Sequence, residues 1–186
     1  MQGKNYLNGN RSMKVFITNL GRYNEGYLVG KWVKLPVDDE TLDKVLEEIG
    51  INEQYEEYFI TDYENATVVL GDIISEYSSV TALNKLAQRL EVLSDADADK
   101  LGAVLEYEAC RSVSEVIDLL DELDEFDLLP DVTDDEELGY HYVEECGSID
   151  IPEHLKNYFD YEAFGRDVRL ENLCLFTSYG FLLDNR

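Results

Sequence analysis

From Arg111 to Lys156 the chain runs through 44 residues that contain no Lys or Arg and 16 Asp or Glu. Any fold must keep these acids solvated and gather the apolar residues between them onto single faces of amphipathic elements. A second stretch, from Lys44 to Lys85, again lacks internal bases and holds 9 acids. Over the whole chain 41 acids oppose 15 bases, a formal net charge of -26. Solubility asks a small domain for a net charge of only ~2–8 in magnitude, and larger values cost self-repulsion. Duplex DNA carries about two charges per base pair, so one chain matches about 13 base pairs on charge alone. Such a field repels nucleic acid and anionic membrane and attracts basic protein surfaces. The chain is nonetheless able to bury a core. It is 45% hydrophobic, with 13 Tyr, 7 Phe and 1 Trp in 186 residues, enough for one sizeable domain or two to three small ones.

The periodicity predicts α+β. VFITNL (15–20) and YLVGKWVKL (27–35) read as an antiparallel strand pair joined by the turn-rich GRYNEG (21–26), with Pro36 as a stop. DDETLDKVLEEIG (38–50) reads as a helix with Leu42, Val45, Leu46 and Ile49 on one face and Gly50 at its end, and EEYFITDYE (56–64) as a third strand. Helices follow at 81–93, 95–110 and 112–126, the last opening with a capping box of Ser112 and Glu115. A strand is expected at FDLLPDV (126–132), a helix at 134–147, one or two short helices at 151–170 after Pro152, and a closing hairpin around Tyr179-Gly180. The expected organisation is a flexible leader (1–12), an N-terminal antiparallel sheet plus helix (13–70), a helical middle (71–125) and a C-terminal α/β unit (126–186). Met13 is a second candidate start.

The helix at 112–126 carries the most specific pattern. Val113, Val116, Ile117, Leu120 and Leu123 form an apolar stripe, while Glu115, Asp118, Glu122 and Glu125 recur at helical spacing on the other face. Neighbours on that line lie ~5 Å apart, near the scale of phosphate spacing along a strand. The bland alternative is a solvated face, but such faces usually mix Lys or Arg among their acids. Asp134, Asp135, Glu136 and Glu137 open the next helix, where negative charge suits the helix dipole.

Other chemistries find little support. Asp95, Asp97, Asp99 and Glu106 fall at positions 1, 3, 5 and 12 of a calcium loop, but Lys100 stands where the sharp turn needs Gly, so a polar helix start is the simpler reading. In GRYNEGYLVGK, Tyr27 stands where a phosphate loop needs Lys. His141 and His154 lack Cys or His partners at metal spacing, and no GxSxG or HExxH occurs, so neither metal, cofactor nor catalytic residue is expected. Cys110, Cys146 and Cys174 are odd in number and widely spaced, as for reduced thiols in a cytoplasmic protein. Asn65-Ala66-Thr67 matches a glycosylation sequon, a pattern common by chance. The N-terminus has no apolar segment of a secretion signal, and no apolar run approaches a membrane span.

NLGRYNEGYLVGKW (19–32), EEYFITDYE (56–64) and IPEHLKNYFDYEAFGRDVRL (151–170) resemble the ArdA antirestriction proteins, over all but the leader. The resemblance implies a non-enzymatic DNA mimic, carried on mobile DNA. It would occupy the DNA-binding channel of type I restriction-modification enzymes as a homodimer. It implies an elongated fold of three small units and an antirestriction motif at about 149–161, associated with the dimer contact, where Ile151, Leu155, Tyr158 and Phe159 are the candidate anchors. On this reading Glu115, Asp118, Glu122, Glu125, Asp134, Asp135, Glu136 and Glu137 belong to the DNA-mimic surface. The competing readings are a calcium-binding regulatory module, an acidic chaperone for basic DNA-binding proteins, and a carboxylate-based hydrolase for which no specific motif occurs.

Overall fold

The computed structural model describes residues 12–64 and 73–186. The leader, apart from Ser12, and the sequon at Asn65 lie outside the described residues. The protein is α+β, and the described residues form two three-stranded antiparallel sheets. It divides into two compact units, one holding residues 12–64, 73–98 and 110–120, the other 99–109 and 121–186. The cut differs from the expected segments, because residues 99–109 pack with the C-terminal part of the chain.

In the first unit β1 (Met13–Asn19) is the centre of a sheet ordered β2-β1-β3, with β2 at Gly30–Leu35 and β3 at Tyr58–Glu64. Met13, Val15 and Ile17 alternate into the core, and Phe16 meets Trp32 edge-on at 5.4 Å. The strand expected at 27–35 begins only at Gly30; Tyr27 and Leu28 are largely exposed. The GRYNEG connection is partly helical rather than a plain turn: α1 spans Leu20–Asn24. Asn19 is the physical reason. Its fully buried side chain accepts from Arg22 N at 2.9 Å, capping α1. Its Nδ2 donates to Ile49 O and Gly50 O, tying α1 to the end of α2 (Asp39–Glu48). Gly50 takes φ +81°, the left-handed conformation that stops α2.

Next come α3 (Val80–Val92), α4 (Asp95–Tyr107) and α5 (Val113–Asp121). On α3, Asn84 is buried and bonds both Val37 N and Val37 O at 2.8 Å. On α5 the expected stripe is buried: Val113, Val116, Ile117 and Leu120 are each less than a tenth exposed. The Ser112 half of the expected capping box forms, with Glu115 N donating to Ser112 Oγ, while the Glu115 carboxylate accepts from Arg111 N and Ser112 Oγ instead of Ser112 N. The helix is shorter than expected, ending at Asp121 and followed by a 3-10 turn at Leu123–Glu125. Tertiary pairing overrides the local period here: Phe126 starts β4 (Phe126–Leu129), which ladders with the C-terminal strand from Phe126↔Asp184 to Leu129↔Phe181.

In the second unit β6 (Gly180–Asp184) lies between β4 and β5 (Cys174–Thr177). Phe181 sits at the centre of a core with Val132 and Leu138, against which Leu129, Tyr142, Val168 and Phe176 pack. The helix expected at 134–147 is split into α6 (Asp135–Tyr140) and a π turn at His141–Glu145. The segment 151–170 becomes a 3-10 helix at Glu153–Tyr158 and α7 (Tyr161–Glu171). Helices α6 and α7 approach backbone to backbone. A Cβ on Gly165 would lie 1.9 Å from Asp135 O, and one on Gly139 would lie 2.0 Å from Tyr161 O. Only glycine fits both positions.

Candidate functional site

The carboxylates singled out by the sequence are exposed, except the half-buried Asp135. Glu115 and Asp118 share α5, whereas Glu122 lies in the bend just after its end and Glu125 on the 3-10 turn that follows. One unbroken helical line of four acids is therefore not what forms. The demand of β4 for Phe126 ends the helix before the line is complete.

Several acids have local structural work. Glu115 ties down the start of α5 by accepting from Arg111 N and Ser112 Oγ. Asp134 caps α6 by accepting from Glu137 N at 2.9 Å, and Glu137 accepts from Thr133 N and Thr133 Oγ1 at 2.7 and 2.8 Å. Asp135 receives a two-pronged pair from Arg169, with Nε and Nη2 at 2.7 and 2.9 Å. That hydrogen-bonded guanidinium holds the Asp135 carboxyl below the ordinary carboxylate range, outweighing the opposing effect of burial. Among the described residues, Glu136 and the nearby Asp131 have neither a hydrogen-bond nor an ion-pair partner.

The base-free stretch is partly neutralised by bases from elsewhere in the chain. Arg186 contacts Glu108, Glu122 and Asp184, with its guanidinium 4.5 Å above the Phe126 ring. Its hydrogen bonds hold Asp184 below the ordinary range. Lys156 Nζ reaches Glu144 and Glu153, while Tyr161 OH donates to Glu144 Oε1 at 2.6 Å. These hydrogen bonds lower the Glu144 carboxyl and raise the Lys156 amine. Sequence reasoning missed Lys156, Arg169 and Arg186 as partners. Their only signal was that they are among the few bases after Arg111.

The four apolar candidates for a subunit contact divide. Tyr158 is 86% exposed and Leu155 45%, both on the 3-10 helix. Ile151 is half-buried. Phe159 packs within its own unit, edge-on to Tyr161 and Phe164 at 5.0 and 5.8 Å.

Beside α6 lies an open cavity of about 500 Å3 with Leu129, Pro130 and Val132 on its apolar wall and Tyr140 and several carboxylates around it. The π turn next to it is held by His141, whose Nδ1 lies 2.7 Å from Glu145 Oε2 and whose Nε2 lies 3.4 Å from Cys146 Sγ. Residues 95–107 are one continuous helix rather than a ligand loop, with Ser94 Oγ accepting from Asp97 N, and Glu106 is bonded to Ser178. The calcium-loop geometry is therefore not formed. Among the described residues, no group of three or more His, Cys, Asp or Glu is arranged to hold a metal ion. No described helix is long and apolar enough to cross a membrane.

Fold and surface together define a strongly acidic α+β protein whose distinguishing chemistry is displayed carboxylate. The chain belongs to the ArdA family: the family model described as antirestriction protein (ArdA) matches residues 15–183. No curated protein matches the chain.

Proposed function

We propose that this antirestriction protein works as a DNA mimic that enters the DNA-binding channel of type I restriction-modification enzymes and excludes the duplex. The observation that carries the reading is the base-free stretch of 16 acids between Arg111 and Lys156, most of them exposed, in a chain of net charge -26. Carboxylates placed where phosphates bind meet the same Lys and Arg, so inhibition needs no catalytic group and the protein is not an enzyme. Glu115, Asp118, Glu122, Glu125, Asp134, Asp135, Glu136 and Glu137 contribute to the mimicking surface. The field disfavours nucleic acid as a ligand. The role places the protein in the cytoplasm, with its target, and fits carriage on mobile DNA that must survive restriction.

A homodimer fits this role, because a two-fold pair mirrors the pseudo-symmetry of duplex DNA and fills a long channel better than one chain. The exposed Tyr158 and Leu155, with Ile151 nearby in sequence, supply apolar area for it, and Phe159 is held next to them in sequence by its ring contacts with Tyr161 and Phe164. The deciding experiment is binding to a purified type I methyltransferase core with and without target duplex. Competition supports the reading, and a complex holding duplex and this protein in the same channel refutes it.

A further inference from the structure

We propose that the cavity beside α6 is an anchor site for one arginine side chain of the protein's partner. The inference rests on the DNA-mimic reading and gives one place on the acidic surface a specific ligand. A diffuse carboxylate field binds any cation, whereas this site has shape as well as charge. Its wall of Leu129, Pro130 and Val132 is apolar and suits the methylene stem of a long side chain. Tyr140 also lines it, 53% exposed and braced against Tyr161 at 5.7 Å between centroids, so its ring is held in place. Asp131 and Glu136 bring two carboxylates that no hydrogen bond or ion pair engages, and no Lys or Arg lines the cavity, among the described residues.

Arginine fits this set better than lysine. Its planar guanidinium stacks on an aromatic face and presents a fork of donors to carboxylates, while a compact ammonium gains little from either. An Arg that normally meets a DNA phosphate would find a carboxylate together with an apolar seat and a stacking ring. Most acids of the surface would then contribute weakly and evenly, and this cavity would be a local maximum in affinity.

The test has two arms. In the first, N-acetyl-arginine amide and N-acetyl-lysine amide are titrated into the full chain at low salt and followed by amide chemical shifts. The arginine probe should perturb Val132, Glu136 and Tyr140 first, and bind about fivefold tighter than the lysine probe. The variant Asp131→Asn with Glu136→Gln, and separately Tyr140→Leu, should lose this preference, while Tyr140→Phe keeps it. Equal shifts from both probes spread over many acids would overturn the proposal. In the second arm, affinity for the methyltransferase core is compared at fixed ionic strength. The Asp131→Asn, Glu136→Gln double variant should lose about tenfold, as a buried arginine contact does. Removing the same charge at the exposed Asp43 and Glu91 should cost less than about threefold. Equal losses in the two pairs would refute the anchor. If the arginine probe binds as described but the wild-type chain does not bind the core at all, the DNA-mimic reading fails and the arginine site stands.

Discussion

Replacing Gly165 by alanine tests whether the α6–α7 crossing holds the second unit together. The new Cβ would fall 1.9 Å from Asp135 O and 2.6 Å from Gly139 N, both backbone atoms that cannot rotate away. Contacts under 3.0 Å are not tolerated, so the helices must separate by about an ångström. That separation carries Arg169 away from Asp135 and stretches bonds now at 2.7 and 2.9 Å beyond hydrogen-bonding range. Overpacking of this kind costs ~1–3 kcal/mol, and more where backbone must move. Alanine is favoured over glycine in a helix by about 1 kcal/mol, which opposes the loss. The expected net destabilisation is about 2 kcal/mol, or roughly 4–8 °C in Tm for a chain of this size. Gly139→Ala should behave alike, and the double variant should lose less than the two singles combined, because one separation relieves both clashes. Thermal unfolding by circular dichroism reads the effect. A Gly165→Ala protein that melts at or above the wild-type temperature would refute the close crossing.

Further outcomes follow from the surface and its ion pairs. Glu115→Gln, Asp118→Asn, Glu122→Gln or Glu125→Gln alone should leave restriction inhibition nearly intact, since single exposed pairs are worth ~0–1 kcal/mol; adding neutralisation of Asp134, Asp135, Glu136 and Glu137 should weaken it progressively. A titration of inhibition against acids removed checks this, and abolition by one conservative change in a folded protein would require a discrete site instead. Binding to the methyltransferase core should weaken as salt rises, and salt-independent affinity would contradict carboxylate-for-phosphate replacement. Leu155→Glu with Tyr158→Glu should shift sedimentation from dimer to monomer, and a wild-type monomer at micromolar concentration would defeat the dimer. The carboxyls of Asp135 and Asp184 lie lower folded than unfolded, so their stabilisation is complete above the unfolded value of about 4 and is lost as pH falls through the folded values. Asp135→Asn should accordingly flatten the stability profile below about pH 4, measured by denaturant unfolding, and leave its shape near neutrality unchanged.

Local chemistry was the legible part. Val113, Val116, Ile117 and Leu120 carry the helical period that α5 buries, Ser112 and Glu115 announce its cap, and Gly50 marks the end of α2. What escaped depends on distant partners. Nothing near Asp121 stops a helix; Asp184 does, by pairing with Phe126 from 58 residues further on. The α1 helix follows from Asn19 bonding to Ile49 and Gly50, and the Arg186 cluster joins residues up to 78 positions apart. The Gly139–Gly165 crossing left a trace, two glycines inside helical patterns, but a lone helical glycine does not name its counterpart. In the candidate surface, the residue types were readable while the pairing of Asp135, Glu122 and Glu144 was not, because the bases that reach them come from after the base-free stretch or from its end.

The membership of residues 99–109 in the second unit bears on how the protein can be dissected. A recombinant fragment starting at Phe126 would omit Glu106, which holds Ser178 N at 2.8 Å, Tyr107, whose ring meets Phe126 at 6.5 Å, and Glu108, a partner of Arg186. It would also omit Gly102, over which the Tyr179 ring closes. The hairpin of β5 and β6 would lose its cover and expose Tyr179 to solvent. Limited proteolysis near residue 125 should therefore yield no stable C-terminal product, and a nicked chain should stay associated until it is denatured.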